Sequence, residues 1–207
     1  DTTAALDGNG AGLVTAGVNS ITATANTTGE VMTAVVTTGV DSIELTTGQN
    51  YTLTTAQANI SQIGTAGTAG TITDAGTMTL SASTSGENLA TGLTATGVDI
   101  ITLDNDQDFT MTMAQLAIAT DENGGNIDDY VGAITLTDGG DLTGYAFNVA
   151  ATLVIADGAT YTMTVAQALK LDTYLTETYT VEDTPANLTS EAALELFSTT
   201  TNSVTLS

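Results

Sequence analysis

The sequence predicts a mainly β fold, a parallel β-solenoid-like repeat with a few short helices toward the C-terminus. Three observations carry that expectation. Thr is the commonest residue, 46 of 207, while Lys and Arg together number one; branched Cβ atoms stiffen χ1 and favour extended backbone. Apolar residues alternate with polar ones over short runs, the period of a half-buried strand. One pattern recurs three times: a strand, a polar turn, a second strand, then Ala-Gln.

The elements follow in chain order. The stretch from Leu13-Val14 through Ile21 to Val31-Met32 reads as uncapped β-structure, and Gly17-Val18-Asn19-Ser20-Ile21 within it is a fainter copy of the repeat that follows. The first full repeat runs Gly39 to Leu45, turns over Thr46 to Asn50, and continues as Tyr51-Thr52-Leu53-Thr54-Thr55-Ala56-Gln57-Ala58. The second runs Gly97 to Leu103, turns over Asp104 to Asp108, and continues as Phe109-Thr110-Met111-Thr112-Met113-Ala114-Gln115-Leu116. The third runs Leu153 to Ile155, turns over Ala156 to Thr160, and continues as Tyr161-Thr162-Met163-Thr164-Val165-Ala166-Gln167-Ala168. Ile43, Leu45, Ile101 and Leu103 alternate inward in the first strands. Tyr51 and Leu53, Phe109, Met111 and Met113, and Tyr161, Met163 and Val165 do so in the second, leaving a Thr face outward. Gly132-Ala133-Ile134-Thr135-Leu136 resembles the same strand.

Beyond the third repeat the period changes. Residues 166–175 read as a short helix and Tyr179-Thr180-Val181 as a strand. Thr184 caps a second helix that opens on Pro185, whose missing N–H and fixed φ suit the first helical position. Ser203-Val204-Thr205-Leu206 returns to strand. Residues 1–100 read as almost purely β. The expectation is one repeat-built domain over 1–207, with irregular repeats near 39–60, 97–119 and 153–172 and strand–helix alternation over 173–207.

Asp157 to Ala168 resembles the repeats of very large, acidic, Thr/Ala/Gly-rich bacterial surface proteins, the β-strand-repeat or haemolysin-type calcium-binding group. Tyr179-Thr180-Val181-Glu182-Asp183-Thr184-Pro185-Ala186-Asn187-Leu188 is similar to a second element of those repeats. The resemblance covers about residues 39–60 and 97–207. It implies an extracellular adhesin, S-layer or fibre component, often calcium-dependent. The glycine-aspartate nonapeptide of true calcium-binding β-rolls does not occur here, which argues against calcium bound rung by rung.

Composition removes most chemistry. There are 24 Asp plus Glu, no His and no Cys, so imidazole bases and thiolate or imidazole metal sites are excluded. A net charge of −23 repels phosphate, so nucleic acid and anionic membrane are poor partners. No apolar run reaches the roughly 18 residues that span a bilayer, and membrane insertion is not expected. A cysteine-free, almost lysine-free acidic chain fits a secreted or cell-surface prokaryotic setting.

Two acidic stretches are candidate Ca²⁺ sites, because calcium takes about 6–8 oxygen ligands and such loops supply them. One is Asp104, Asp106 and Asp108, at alternate positions in a turn. The other is Asp121, Asn123, Asp128 and Asp129 around Gly124-Gly125, resembling part of an EF-hand loop but without its far bidentate Glu. The alternative is a solvated turn in which Asp and Asn satisfy backbone geometry. A glycosidase-like carboxylate pair lacks flanking aromatic platforms, and the protein is not expected to be an enzyme. Gln57, Gln115 and Gln167 are expected to cap the backbone where strand becomes helix, or to stack on their equivalents.

The expected function is structural: end-to-end self-assembly into a filament, sheath or S-layer, its partners copies of itself. Val204 and Leu206 at one end, and Leu13, Val14 and Ile21 at the other, are the candidate assembly strands. The alternative is an ice- or glycan-binding adhesin module using Thr-x-Thr strand faces, which needs those pairs in one flat, regular array.

Overall fold

The computed structural model describes residues 22–25, 30–31, 40–122, 124–125, 127, 130–147, 151–156, 158–169, 178–190, 193 and 203–206. In chain order the first strands are β1 (Thr22–Ala25), β2 (Glu30–Val31), β3 (Ser42–Leu45), β4 (Tyr51–Leu53), β5 (Ser61–Ile63), β6 (Met78–Ala82), β7 (Glu87–Asn88) and β8 (Ile100–Leu103). They continue with β9 (Phe109–Met111), β10 (Ala119–Asp121), β11 (Ala133–Leu136), β12 (Gly140–Asp141), β13 (Thr152–Ile155), β14 (Thr160–Met163), β15 (Thr178–Asp183) and β16 (Ser203–Leu206). The protein is mainly β with parallel sheets, as the composition predicts.

The chain divides into two compact units, residues 1–82 with 91–102, and residues 83–90 with 103–207. In the first, β1, β3 and β5 form one sheet, while β2, β4, β6 and β8 lie side by side in another. Successive strands thus alternate between two sheets over much of the unit. Parallel pairing stacks like on like: Leu45 lies between Ala25 and Ile63, and Tyr51 and Leu53 lie opposite Met78 and Leu80. The second unit repeats the construction with β7-β9-β11-β13 and β12-β14-β15-β16. There Ile134 lies between Phe109 and Leu153, and Leu136 between Met111 and Ile155.

The inward residues form the core. Ile43, Leu45, Tyr51, Leu53, Ile101, Leu103, Phe109, Met111, Tyr161 and Met163 are all buried, as the alternation predicts. Thr52 stands opposite Thr79, Thr110 opposite Thr135 and Thr162 opposite Thr180; these outward threonines are half-buried.

Three expectations are corrected. Helices are not confined to the C-terminal part, since Thr55–Ile60 and Leu89–Gly92 are helical. The second strands of the repeats stop earlier than their alternation suggests. β9 ends at Met111, and Met113 opens the helix Met113–Leu116 half-buried instead of facing the core from a strand. Val165 likewise opens the helix Val165–Ala168, although it stays buried.

The cause lies in the Thr-x-x-Gln spacing. Thr54, Thr112 and Thr164 are N-caps, each accepting a hydrogen bond from the main-chain N–H of Gln57, Gln115 and Gln167. Each Gln side chain in turn accepts from the N–H of its Thr, at 3.0, 2.9 and 2.8 Å. This reciprocal cap satisfies two donors that a helix start otherwise leaves unpaired. Of the two roles expected for the three glutamines, capping is the one they hold. Thr184 caps Pro185–Leu188, with Pro185 in the first turn. Residues 170–175 of the expected helix lie outside the described residues. Among the described residues no helix is long and apolar enough to cross a membrane.

Candidate functional site

The most chemically loaded place in the second unit is the turn between β8 and β9. Asp104, Asn105, Asp106, Gln107 and Asp108 connect two strands whose inward residues, Leu103 and Phe109, anchor it at both ends. Asp106 takes φ 65°, a left-handed conformation that Asp tolerates in tight turns. Asp108 points along the stack: its Oδ1 accepts the Ala133 N–H at 2.9 Å, at the start of β11.

Asp104 meets a residue that sequence spacing does not suggest. The side chain of Glu122, just past β10, hydrogen-bonds that of Asp104, and this contact raises the Glu122 carboxyl above its ordinary value; slight desolvation and the Asp104 charge add to the rise, while donors on Asn105 oppose it. Two carboxyls in hydrogen-bond contact cannot both stay ionised without repulsion, so a proton or a cation is favoured between them. The Asn105 Oδ1 is buried and accepts no hydrogen bond. Tyr130 packs against Phe109 with ring centroids 6.3 Å apart, and its hydroxyl donates to the Gln107 carbonyl. Burial raises the Tyr130 phenol far above its usual range, and the charges of Asp108, Asp104 and Asp106 raise it further.

One expected outcome tests this pairing. Asp104→Asn removes the like charge and puts an amide in its place, so Glu122 should titrate lower, back toward an ordinary glutamate. Carboxyl ¹³C shifts followed by NMR over pH 2–8 (roughly the span of carboxyl titration) check it; an unchanged Glu122 midpoint contradicts the contact.

The second acidic stretch behaves differently. Asp121 is only 2% exposed, and its Oδ1 accepts the Gly125 N–H at 2.7 Å. That carboxylate shapes its own loop. Asn123, Asp128 and Asp129 lie outside the described residues, as do Leu13, Val14 and Ile21. Among the described residues no three carboxylates are grouped to hold one metal ion. Of the expected residues that are described, Asp104 pairs with Glu122, Asp108 clips β11, and Asp121 closes a loop.

Val204 and Leu206 lie in β16, whose backbone pairs in parallel with β15, Val204 opposite Val181 and Leu206 opposite Asp183. A cavity of about 320 Å³ opens in the second unit, lined by Leu116, Ala117, Ala119, Ile127 and residues 144–146. Tyr145 also stacks on Phe147 at 6.3 Å.

The Thr-x-Thr pairs split. Thr52, Thr110 and Thr162 stand in outward rows, while Thr54, Thr112 and Thr164 spend their hydroxyls on helix caps. No protein-family model, no curated protein and no solved structure matches the chain.

Proposed function

We propose that the chain is a structural segment of an extracellular, cell-surface assembly, a parallel β-solenoid that associates with copies of itself by strand addition. The observation that carries this reading is the parallel stacking. β2, β13 and β16 each stand at an end of their sheet order, with one strand neighbour among the described residues. The edge of a parallel sheet can take up a further strand through its backbone N–H and C=O groups. Sheet edges are usually blunted with Lys or Pro, and none of these three strands contains either residue.

The charge of −23 opposes association, so the reading includes divalent cations, calcium in the first place. The Asp104–Glu122 pair, with Asp106 and Asp108 on the same turn and an undonated Asn105 oxygen beside it, is where a cation relieves the most repulsion. No catalytic role is proposed for it. The alternative, an ice- or glycan-binding face, loses Thr54, Thr112 and Thr164 to helix caps and keeps one paired rung, Thr160 and Thr162 opposite Thr178 and Thr180.

A proline scan over Ser203–Leu206 tests the assembly edge. At positions whose N–H points away from β15, proline should leave the far-ultraviolet spectrum unchanged and abolish the fast-sedimenting species formed in millimolar calcium. Undiminished assembly by every folded variant contradicts β16 as the edge.

A further inference from the structure

We propose that Asp183 is an acid-operated latch: a buried carboxylate that ties residues 178–190 to the helix Val165–Ala168 and releases them when it is protonated. Asp183 ends β15 and is 9% exposed. Its Oδ2 accepts the Val165 N–H at 3.1 Å, eighteen residues upstream. Its Oδ1 accepts the Thr184 N–H and the Asn187 side-chain amide, both at 2.7 Å. Val165 is the first residue of its helix, so its N–H has no intrahelical acceptor. Asn187 belongs to the next helix, Pro185–Leu188. One carboxylate thus joins the starts of two successive helices.

The surroundings leave those amides as its support. β14 brings Tyr161, and β15 brings Tyr179 and Glu182, with Glu182 alternating onto the other strand face. The two helices and β16 bring no titratable side chain. Among the described residues no cation and no second carboxyl faces the group.

Burial pushes the Asp183 carboxyl up, but the bonds from Asn187, Thr184 and Val165 together outweigh it and hold the group below its ordinary value. A folded value below the unfolded one gives stabilisation that is complete above the unfolded value, about 3.9. It is lost as pH falls through the folded value. The protonated acid keeps fewer acceptor sites and turns an O–H toward three donors. The latch therefore holds at neutral pH and opens in acid.

Asp138 is the internal contrast. Its Oδ1 accepts the Met113 N–H at 2.7 Å, the same bond at the same helix position, but Asp138 is exposed and water competes for it.

NMR on the whole chain tests the proposal. In the wild type, the Asp183 carboxyl ¹³C signal should titrate below the ordinary Asp range, with the Val165 amide shift following the same midpoint. At pH 7, Asp183→Asn should speed amide exchange at Val165, Val181 and Asn187 by about tenfold or more, the loss of roughly one charge-assisted bond. Asp138→Asn should change exchange at Met113 by no more than about threefold, as exposed pairs usually do. An Asp183 midpoint at or above the ordinary value overturns the latch, and so does a Val165 amide that ignores it. The wild-type titration decides even if Asp183→Asn does not fold.

Discussion

Replacing Gln167 by alanine should destabilise the second unit by about 3–5 kcal/mol, since three main-chain groups lose partners at about 1–3 kcal/mol each before relaxation. Gln167 is 4% exposed. Its Oε1 accepts the Thr164 N–H at 2.8 Å. Its Nε2 donates to the carbonyl of Leu142, and to that of Tyr145 at 2.5 Å. The side chain thus closes its own helix start and grips a segment more than twenty residues upstream. Gln167→Glu separates the two tasks. A carboxylate can still accept from Thr164 but faces two carbonyls without a donor, so it should not rescue stability at neutral pH. Gln115→Ala should cost less, because Gln115 is half-buried and grips one upstream carbonyl, Leu89 O, at 2.8 Å. Urea unfolding followed by far-ultraviolet circular dichroism reads all three variants. Equal midpoints for Gln167→Ala and wild type contradict the account of the Thr-x-x-Gln spacing.

Tyr51→Ala should be as damaging in the first unit, about 3–5 kcal/mol, the usual cost of emptying a buried aromatic site. Tyr51 is 1% exposed between core neighbours. Its hydroxyl donates to Ala25 O at 2.7 Å and accepts the Thr46 N–H at 3.0 Å. Tyr51→Phe isolates the hydroxyl and should cost about 0.5–1.5 kcal/mol, the net worth of an ordinary hydrogen bond, since the Thr46 N–H and hydroxyl still donate to Ala25 O at 3.2 and 3.3 Å. Tyr161 repeats the arrangement with longer bonds, 3.4 Å to Leu136 O and 3.3 Å from the Ala156 N–H. Tyr161→Phe should therefore cost less than Tyr51→Phe. Thermal unfolding of the four proteins orders them; a Tyr161→Phe loss equal to or above that of Tyr51→Phe contradicts the ranking.

The inner face of this fold was legible because parallel stacking puts like residues opposite one another. Tyr51, Phe109 and Tyr161 each follow a polar turn, and each is buried. Their outward neighbours are Thr, a period-two signal too regular to misread. Strand ends were less legible, because Thr continues the alternation while also capping helices. Thr54, Thr112 and Thr164 look like the next strand residue until the Gln three positions on is read as its reciprocal partner. The helix Thr55–Ile60 therefore begins inside what the alternation alone reads as the end of a strand.

The acidic residues were legible as a composition and not as a site. Asp104, Asp106 and Asp108 share a turn by sequence alone, but the partner of Asp104 is Glu122, eighteen residues on. That pairing depends on how the intervening strand and helix fold back, which no local spacing encodes. Asp121 reads as an exposed ligand in sequence and is instead turned inward onto Gly125. Asp183 was read as part of a strand–helix motif; its role appears only when the Val165 N–H is found beside it.

The central claim is cation-dependent association through parallel strand edges, and electron microscopy of the purified chain tests it most directly. The protein is imaged in millimolar calcium, then after chelation, then after calcium is restored. The account predicts filaments or sheets with calcium, dispersed particles in chelator, and their return on re-addition. Single particles under all three conditions at high protein concentration would contradict it.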